Sequence, residues 1–155
     1  ESAESFEGSC DDTRMHERLA LVKIAPLRVL DAGCGEGADL PLLQTRFGDA
    51  HIIGIDGAEA MLMAAQTTQL STRSSVSRLF SKWLPNKLGS KVGVATATEP
   101  SLACSDFSQL PLQVNAVDLV WSNLALHWHS QPDRVFAEWR RVHCTKVSPR
   151  FFLAS

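Results

Sequence analysis

Two acidic side chains stand where apolar runs of the chain end, and they flank a cluster of glycines. Val29-Leu30-Asp31 leads into Gly33, Gly35 and Gly37 at alternate positions, and Ile52-Ile53-Gly54-Ile55 closes on Asp56 about twenty residues past the last of them. Glycines so placed let a backbone pass close beneath a ligand, and the free N–H groups at the start of a following helix favour electron-rich ligand atoms. Gly33, Gly35 and Ala38 can be aligned on the dinucleotide pattern G-x-G-x-x-A, but a carboxylate at Asp31 would repel a pyrophosphate. It suits a ligand that carries an ammonium group. An acid at the tip of the second strand of a doubly wound sheet accepts hydrogen bonds from ribose hydroxyls, the role open to Asp56. Together the residues predict a site for a nucleoside with a cationic tail; a turn that holds no ligand is the other reading of the glycines alone.

The elements that must hold these groups follow from periodicity. Met15, Leu19 and Val22 recur at helical spacing between Asp12 and Val22, and Pro26 stops that helix before a strand over Leu27–Ala32. Ala38–Phe47 reads as a helix with Leu40, Leu43 and Phe47 on one face, Pro41 in its first turn and Gly48 as its C-terminal cap. It crosses over to a strand at Ile52–Asp56, giving a parallel, right-handed βαβ unit. A helix begins near Gly57 and runs to about Gln69; Ser101–Cys104 is a third strand and Val117–Trp121 a fourth. Ser130 with Asp133 makes an acidic variant of the capping box for a helix whose inward face is Val135, Phe136, Trp139 and Val142. Arg150–Ala154 is a fifth strand. The alternation implies an α/β fold, a Rossmann-like doubly wound sheet of mainly parallel strands in the order 3-2-1-4-5. Ligands in such sheets bind beyond the carboxyl ends of the strands where the order reverses, which sets the run after Trp121 opposite the glycine loop.

At 155 residues with 45% hydrophobic content, the chain can bury one core and is expected to form a single domain. A net charge of −2 does not point to nucleic acid, and no apolar run is long enough to span a membrane. Residues 1–12 are polar and acidic, without the profile of a secretory signal. The four cysteines, Cys10, Cys34, Cys104 and Cys144, form no C-x-x-C pair, so neither a zinc site nor a disulfide framework is expected and a cytoplasmic, reduced protein is. Residues 70–100 stand apart. Val76, Leu79, Phe80, Trp83 and Leu84 mark an amphipathic helix, and five basic residues from Arg73 to Lys91 precede the first acid at Glu99. This basic insertion could dock an acidic partner, lie over a pocket as a lid, or cap the sheet edge as a solvated helix.

The run Leu30-Asp31-Ala32-Gly33-Cys34-Gly35-Glu36-Gly37, with Asp56 downstream, resembles the first signature of the class I S-adenosylmethionine-dependent methyltransferases. Trp121-Ser122-Asn123-Leu124-Ala125-Leu126-His127-Trp128, followed by Pro132 and Glu138-Trp139-Arg140-Arg141-Val142, narrows the resemblance to the malonyl-carrier-protein O-methyltransferases of biotin synthesis and near relatives. It runs from about Met15 to Val142, outside the insertion. It implies S-adenosyl-L-methionine as cofactor, held by Asp31, Gly33, Cys34, Gly35, Asp56, Gly57, Asn123 and Leu124. Met61 would pack on the adenosine, although ordinary core packing suits it as well. Asp106 would accept from the adenine amine with Phe107 against the ring; a helix cap is the alternative for Asp106. Where relatives carry a Pro-Gly-Gly turn before the fifth strand, this chain has His143-Cys144-Thr145-Lys146-Val147-Ser148-Pro149. Relatives also continue through two more strands, so the domain is expected to be incomplete at its C-terminal end.

The acceptor implied is a carboxyl group on a small molecule or a malonyl carrier-protein thioester. A carboxylate is already nucleophilic and needs no base; a phenol or amine acceptor would call on His127 or His129, either of which could equally be structural, and no catalytic base is assigned. Other readings are a methyltransferase-like assembly factor of respiratory complex I, a methyltransferase acting on a quinone or other small molecule, and a nicotinamide oxidoreductase, the last disfavoured by Asp31.

Overall fold

The computed structural model describes residues 17, 19–23, 25–69, 99–126 and 129–144, and the backbone of 151–154. Met15, the expected helix at 76–84, His127 and Trp128 lie outside them. The elements are β1 (Arg28–Ala32), α1 (Leu40–Arg46), β2 (His51–Asp56), α2 (59–69), β3 (Ser101–Cys104), β4 (Leu119–Asn123), α3 (Pro132–Val142) and β5 (Phe151–Ala154). The strands form one sheet in the order β3-β2-β1-β4-β5, every pairing parallel, which is the order predicted from sequence.

A parallel sheet covered on both faces needs strands that are apolar throughout. In β1 everything after Arg28 is buried, Asp31 included. On one face Leu40, Leu43 and Phe47 pack with Leu19, Val22, Ile52 and Trp121. On the other, Val135, Trp139 and Val142 of α3 pack with Leu30, Ile55, Val117 and Val120. Helices on opposite faces are what a doubly wound sheet requires. Among the described residues no helix is long and apolar enough to cross a membrane.

Several boundaries differ from the expectation, each for a local reason. β4 begins at Leu119 rather than Val117, because the Asp118 carboxylate turns back to accept the Leu27 and Arg28 N–H groups at 3.0 and 2.9 Å. Val117 makes only an isolated bridge to His143. α1 starts at Leu40, after turns over 35–39, and the Trp121 indole N–H holds Asp39 at 2.8 Å. Gly48 is not its cap; Phe47 takes that place, donating its N–H to Leu43 O at 2.8 Å. Ser130 does not cap α3. The cap position belongs to Gln131, without a side-chain bond, and Pro132 sets the helix start. His143, standing where a Pro-Gly-Gly turn was expected, is buried with its Nε2 3.1 Å from Asp118 O, tying the end of α3 to the entry of β4.

Candidate functional site

The chain reverses strand order between β1 and β4, and the loops leaving these two strands meet. Asp31 lies in the middle of the sheet, in register with Gly54 of β2 and Trp121 of β4. It is 2% exposed, and its Oδ2 has no hydrogen-bond partner among the described residues. Burial, then the charges of Asp39 and Asp56, push its carboxyl well above the usual carboxylate range. A buried acid with an unused acceptor is costly to ionise on its own, and a cation brought beside it would offset that cost.

The glycine loop is shaped by contacts on both sides. Gly33 and Cys34 both donate their N–H to Ile55 O, at 2.7 and 3.0 Å, which draws the loop over the end of β2. Gly33 has φ +81°, and a Cβ there would stand 2.2 Å from the Ala125 Cβ, so only glycine lets the loop after β4 approach this closely. Gly35, at φ +53°, faces open space: a Cβ there would meet nothing within 4 Å. Its N–H goes to Asp56 Oδ2 at 2.9 Å, and Asp56 Oδ1 takes the Ala58 N–H at 2.8 Å. Asp56 therefore joins the glycine loop to the start of α2. Cys34 is buried over Gly54, and burial, then Asp31 and Asp56, push its thiol up to about 12, so it packs as a small apolar group rather than a nucleophile.

Beyond the tips of β2 and β3 opens a cleft of about 570 Å³. Asp56, Gly57, Asp106 and Phe107 line it, as do Cys104, Ser105, Ala125 and His129. Asp106 Oδ1 accepts the Ser108 N–H at 2.7 Å, which closes a short turn over 107–108 rather than capping a helix. That bond, helped by the Ser108 hydroxyl and by His129, lowers its carboxyl. Phe107 is half-buried, its ring 5.5 Å from that of His129 and tilted by 53°. Across the reversal point, Ser122 Oγ donates to Ala32 O at 2.8 Å. Leu124, just past β4, has a positive φ. A left-handed backbone is strained for any residue with a Cβ, and the loops around Leu124 hold it there.

The residues singled out from sequence divide into three groups. Asp56, Gly57, Asp106 and Phe107 share the cleft wall. Asp31, Gly33, Cys34 and Gly35 adjoin it through the Gly35–Asp56 bond. Met61, Asn123 and Leu124 are outside the lining, and Met61, 43% exposed, belongs to neither apolar cluster, so it is not the core residue it could have been. Ser105 and Ala125 were not singled out, although each directly follows or nearly follows a strand end, the signal that could have found them.

Residues 30–145 match the family model described as a methyltransferase domain. The chain is 41% identical over 133 residues to a malonyl-[acyl-carrier protein] O-methyltransferase of Laribacter hongkongensis, covering 86% of this chain and 38% of that protein. It is 38% identical over 129 residues to the protein of the same name from a Methylovorus species, covering 83% of this chain and 37% of the other. It thus spans well under half the length of these relatives. Among solved structures, a SAM-dependent methyltransferase from Aquifex aeolicus superposes with a TM-score of 0.58 at 24% identity, over 86% of this chain and 58% of that one. Strand order, glycine loop and family match agree, and the chain belongs to the methyltransferase domain family, with the class I methyltransferase fold.

Proposed function

We propose that this chain forms the cofactor-binding part of an S-adenosylmethionine-dependent O-methyltransferase that acts on a carboxyl group, with a malonyl carrier-protein thioester as the preferred acceptor. The observation that carries the reading is Asp31, buried at the glycine loop with an acceptor oxygen unused and two further acids raising its need for a cation. In this reading Asp31 receives the cationic aminoacyl end, Asp56 the ribose hydroxyls, and Asp106 with Phe107 the base. Gly33, Cys34, Gly35 and Gly57 let the backbone come close, while Met61, Asn123 and Leu124 border the site. When bound, the cofactor supplies an electrophilic methyl group on a sulfonium. The protein's part is to align the reactants and exclude water, and a carboxylate acceptor needs no base.

The relatives named for malonyl carrier-protein O-methylation support this acceptor over the substrates of a quinone methyltransferase and over a complex I assembly role. The 70–100 insertion, being basic in sequence, suits an acidic carrier protein. Calorimetric titration with S-adenosylhomocysteine tests the cofactor part: Asp31→Ala and Asp56→Ala are each expected to lose on the order of 1–3 kcal/mol. Full affinity retained in both variants refutes it. Transfer of label from S-adenosylmethionine to malonyl carrier protein, but not to unacylated carrier, tests the acceptor.

A further inference from the structure

His129 stands where the loop after β4 faces the loop after β3, and its ring is held on three sides. Nδ1 accepts the Gln131 N–H at 3.0 Å, which leaves a proton on Nε2. Nε2 lies 3.4 Å from Asp106 Oδ1, the oxygen that also takes the Ser108 N–H. The ring leans on Phe107 at 5.5 Å. Asp106 is 55% exposed in its side chain, and a carboxylate so open to water would rotate unless something fixed it. Here one oxygen takes a short bond from its own loop and has the His129 ring beside it from a second loop. The Ser108 contact is local, two residues along the chain, whereas the His129 contact crosses the cleft mouth.

We infer that His129 is a positioning residue which, by holding the Asp106 carboxylate and the Phe107 ring in fixed relation, makes this end of the cleft select a base that presents an amino group over one that presents a carbonyl. The inference rests on the reading of the cleft as a nucleoside site. A carboxylate accepts from an amino group and repels a carbonyl oxygen, but it discriminates only as sharply as its direction is set. Phe107 supplies the face on which the base lies, and the ring of His129 keeps that face from tilting away. Loosening His129 therefore lowers selectivity more than it lowers binding as such.

The probes are S-adenosylhomocysteine and S-inosylhomocysteine, which differ along one edge of the base, an amine at C6 beside an acceptor N1 against a carbonyl at C6 beside an N1–H, titrated into the full chain by calorimetry. The readout is the ratio of their dissociation constants, which a general loss of fold or affinity leaves unmoved. His129→Phe keeps a ring against Phe107 and removes the donor; it is expected to cut the preference for the amino base by about 5- to 10-fold, the worth of one ordinary hydrogen-bonding contact. His129→Gln keeps a donor at the position of Nε2 and is expected to hold the preference within about twofold. An undiminished preference in His129→Phe overturns the inference, and so does a preference lost equally in both variants. If the unaltered chain binds neither probe, or binds both alike, the nucleoside reading of the cleft fails, and the role of His129 falls with it.

Discussion

Placing a methyl group on Gly33 tests whether the loops after β1 and β4 meet in solution as closely as described. Two costs arise. Gly33 has a left-handed backbone, which an alanine in its place would have to share. That conformation costs a residue with a Cβ about 1–2 kcal/mol. The new Cβ would also stand 2.2 Å from the Ala125 Cβ, so the Leu124-Ala125 loop must move. Carbons attract only at about 3.5–4.0 Å. Overpacking of this kind costs about 1–3 kcal/mol, giving about 2–5 kcal/mol in all for Gly33→Ala. That is a large share of the roughly 5–15 kcal/mol by which a domain is stable. The two costs can be separated. In Gly33→Ala/Ala125→Gly the clashing methyl is gone and the new Cβ meets the residue 125 Cα at 3.6 Å, an ordinary contact. The double variant should recover the overlap and keep the backbone cost, a coupling of about 1–3 kcal/mol. Urea unfolding of the four proteins, followed by tryptophan emission, measures it. Additivity within about 0.5 kcal/mol would show that the loops do not touch, and with that the construction of the cleft mouth would fail.

Asp31→Asn should change how stability depends on pH. Because the Asp31 carboxyl is raised in the folded chain, the folded state holds a proton that the unfolded state releases, so stability of the ligand-free protein falls as pH rises from the ordinary carboxylate range through the raised value. Denaturant midpoints from about pH 4 to about pH 8 should show that decline in the unaltered chain and a flatter profile in Asp31→Asn; identical profiles would refute the burial argument. Glu138 accepts the Leu110 N–H at 2.8 Å and orients Arg141, whose guanidinium donates to Leu110 O and Leu112 O. Glu138→Ala should therefore cost about 1–3 kcal/mol and loosen residues 110–112. Hydrogen exchange at Leu110 reports it, and protection equal to that of the unaltered chain would count against this network.

The sheet was legible because its central strands are buried on both faces, and such strands leave a mark in sequence: an unbroken apolar run ended by an acid, as in Val29–Asp31 and Ile52–Asp56. α3 was legible on its inner face, where Val135, Trp139 and Val142 keep helical spacing. Its start was not. Ser130 has the right residue type, but the Gln131 N–H is already taken by His129 Nδ1 and Pro132 sets the first turn. Asp118 misled in the same way, since its carboxylate serves the beginning of β1, 90 residues away, which no local pattern reports. At the site, the sequence singled out Asp31, Asp56, Asp106 and Phe107; the last three share the cleft wall, and the glycine loop that follows Asp31 adjoins it. What spacing does not contain is the unused oxygen on Asp31, the bridge from Gly35 to Asp56, or the approach of Ala125 to Gly33, all set by the crossing of distant segments.

The placing of β1 between β2 and β4 also governs how the chain comes to be folded. One edge of β1 finds its neighbour early, pairing Val29 with Ile52; the other waits for Leu119. At roughly 5–20 residues per second, a ribosome takes on the order of 3 to 13 s to go from Ile52 to Leu119, and for that time the β1–β2 pair has a bare edge. Closing so long a loop is slow in refolding as well. A half-made chain thus carries the whole glycine loop and two of its acids yet has no cleft, so competence for a ligand comes only with the last strands to dock.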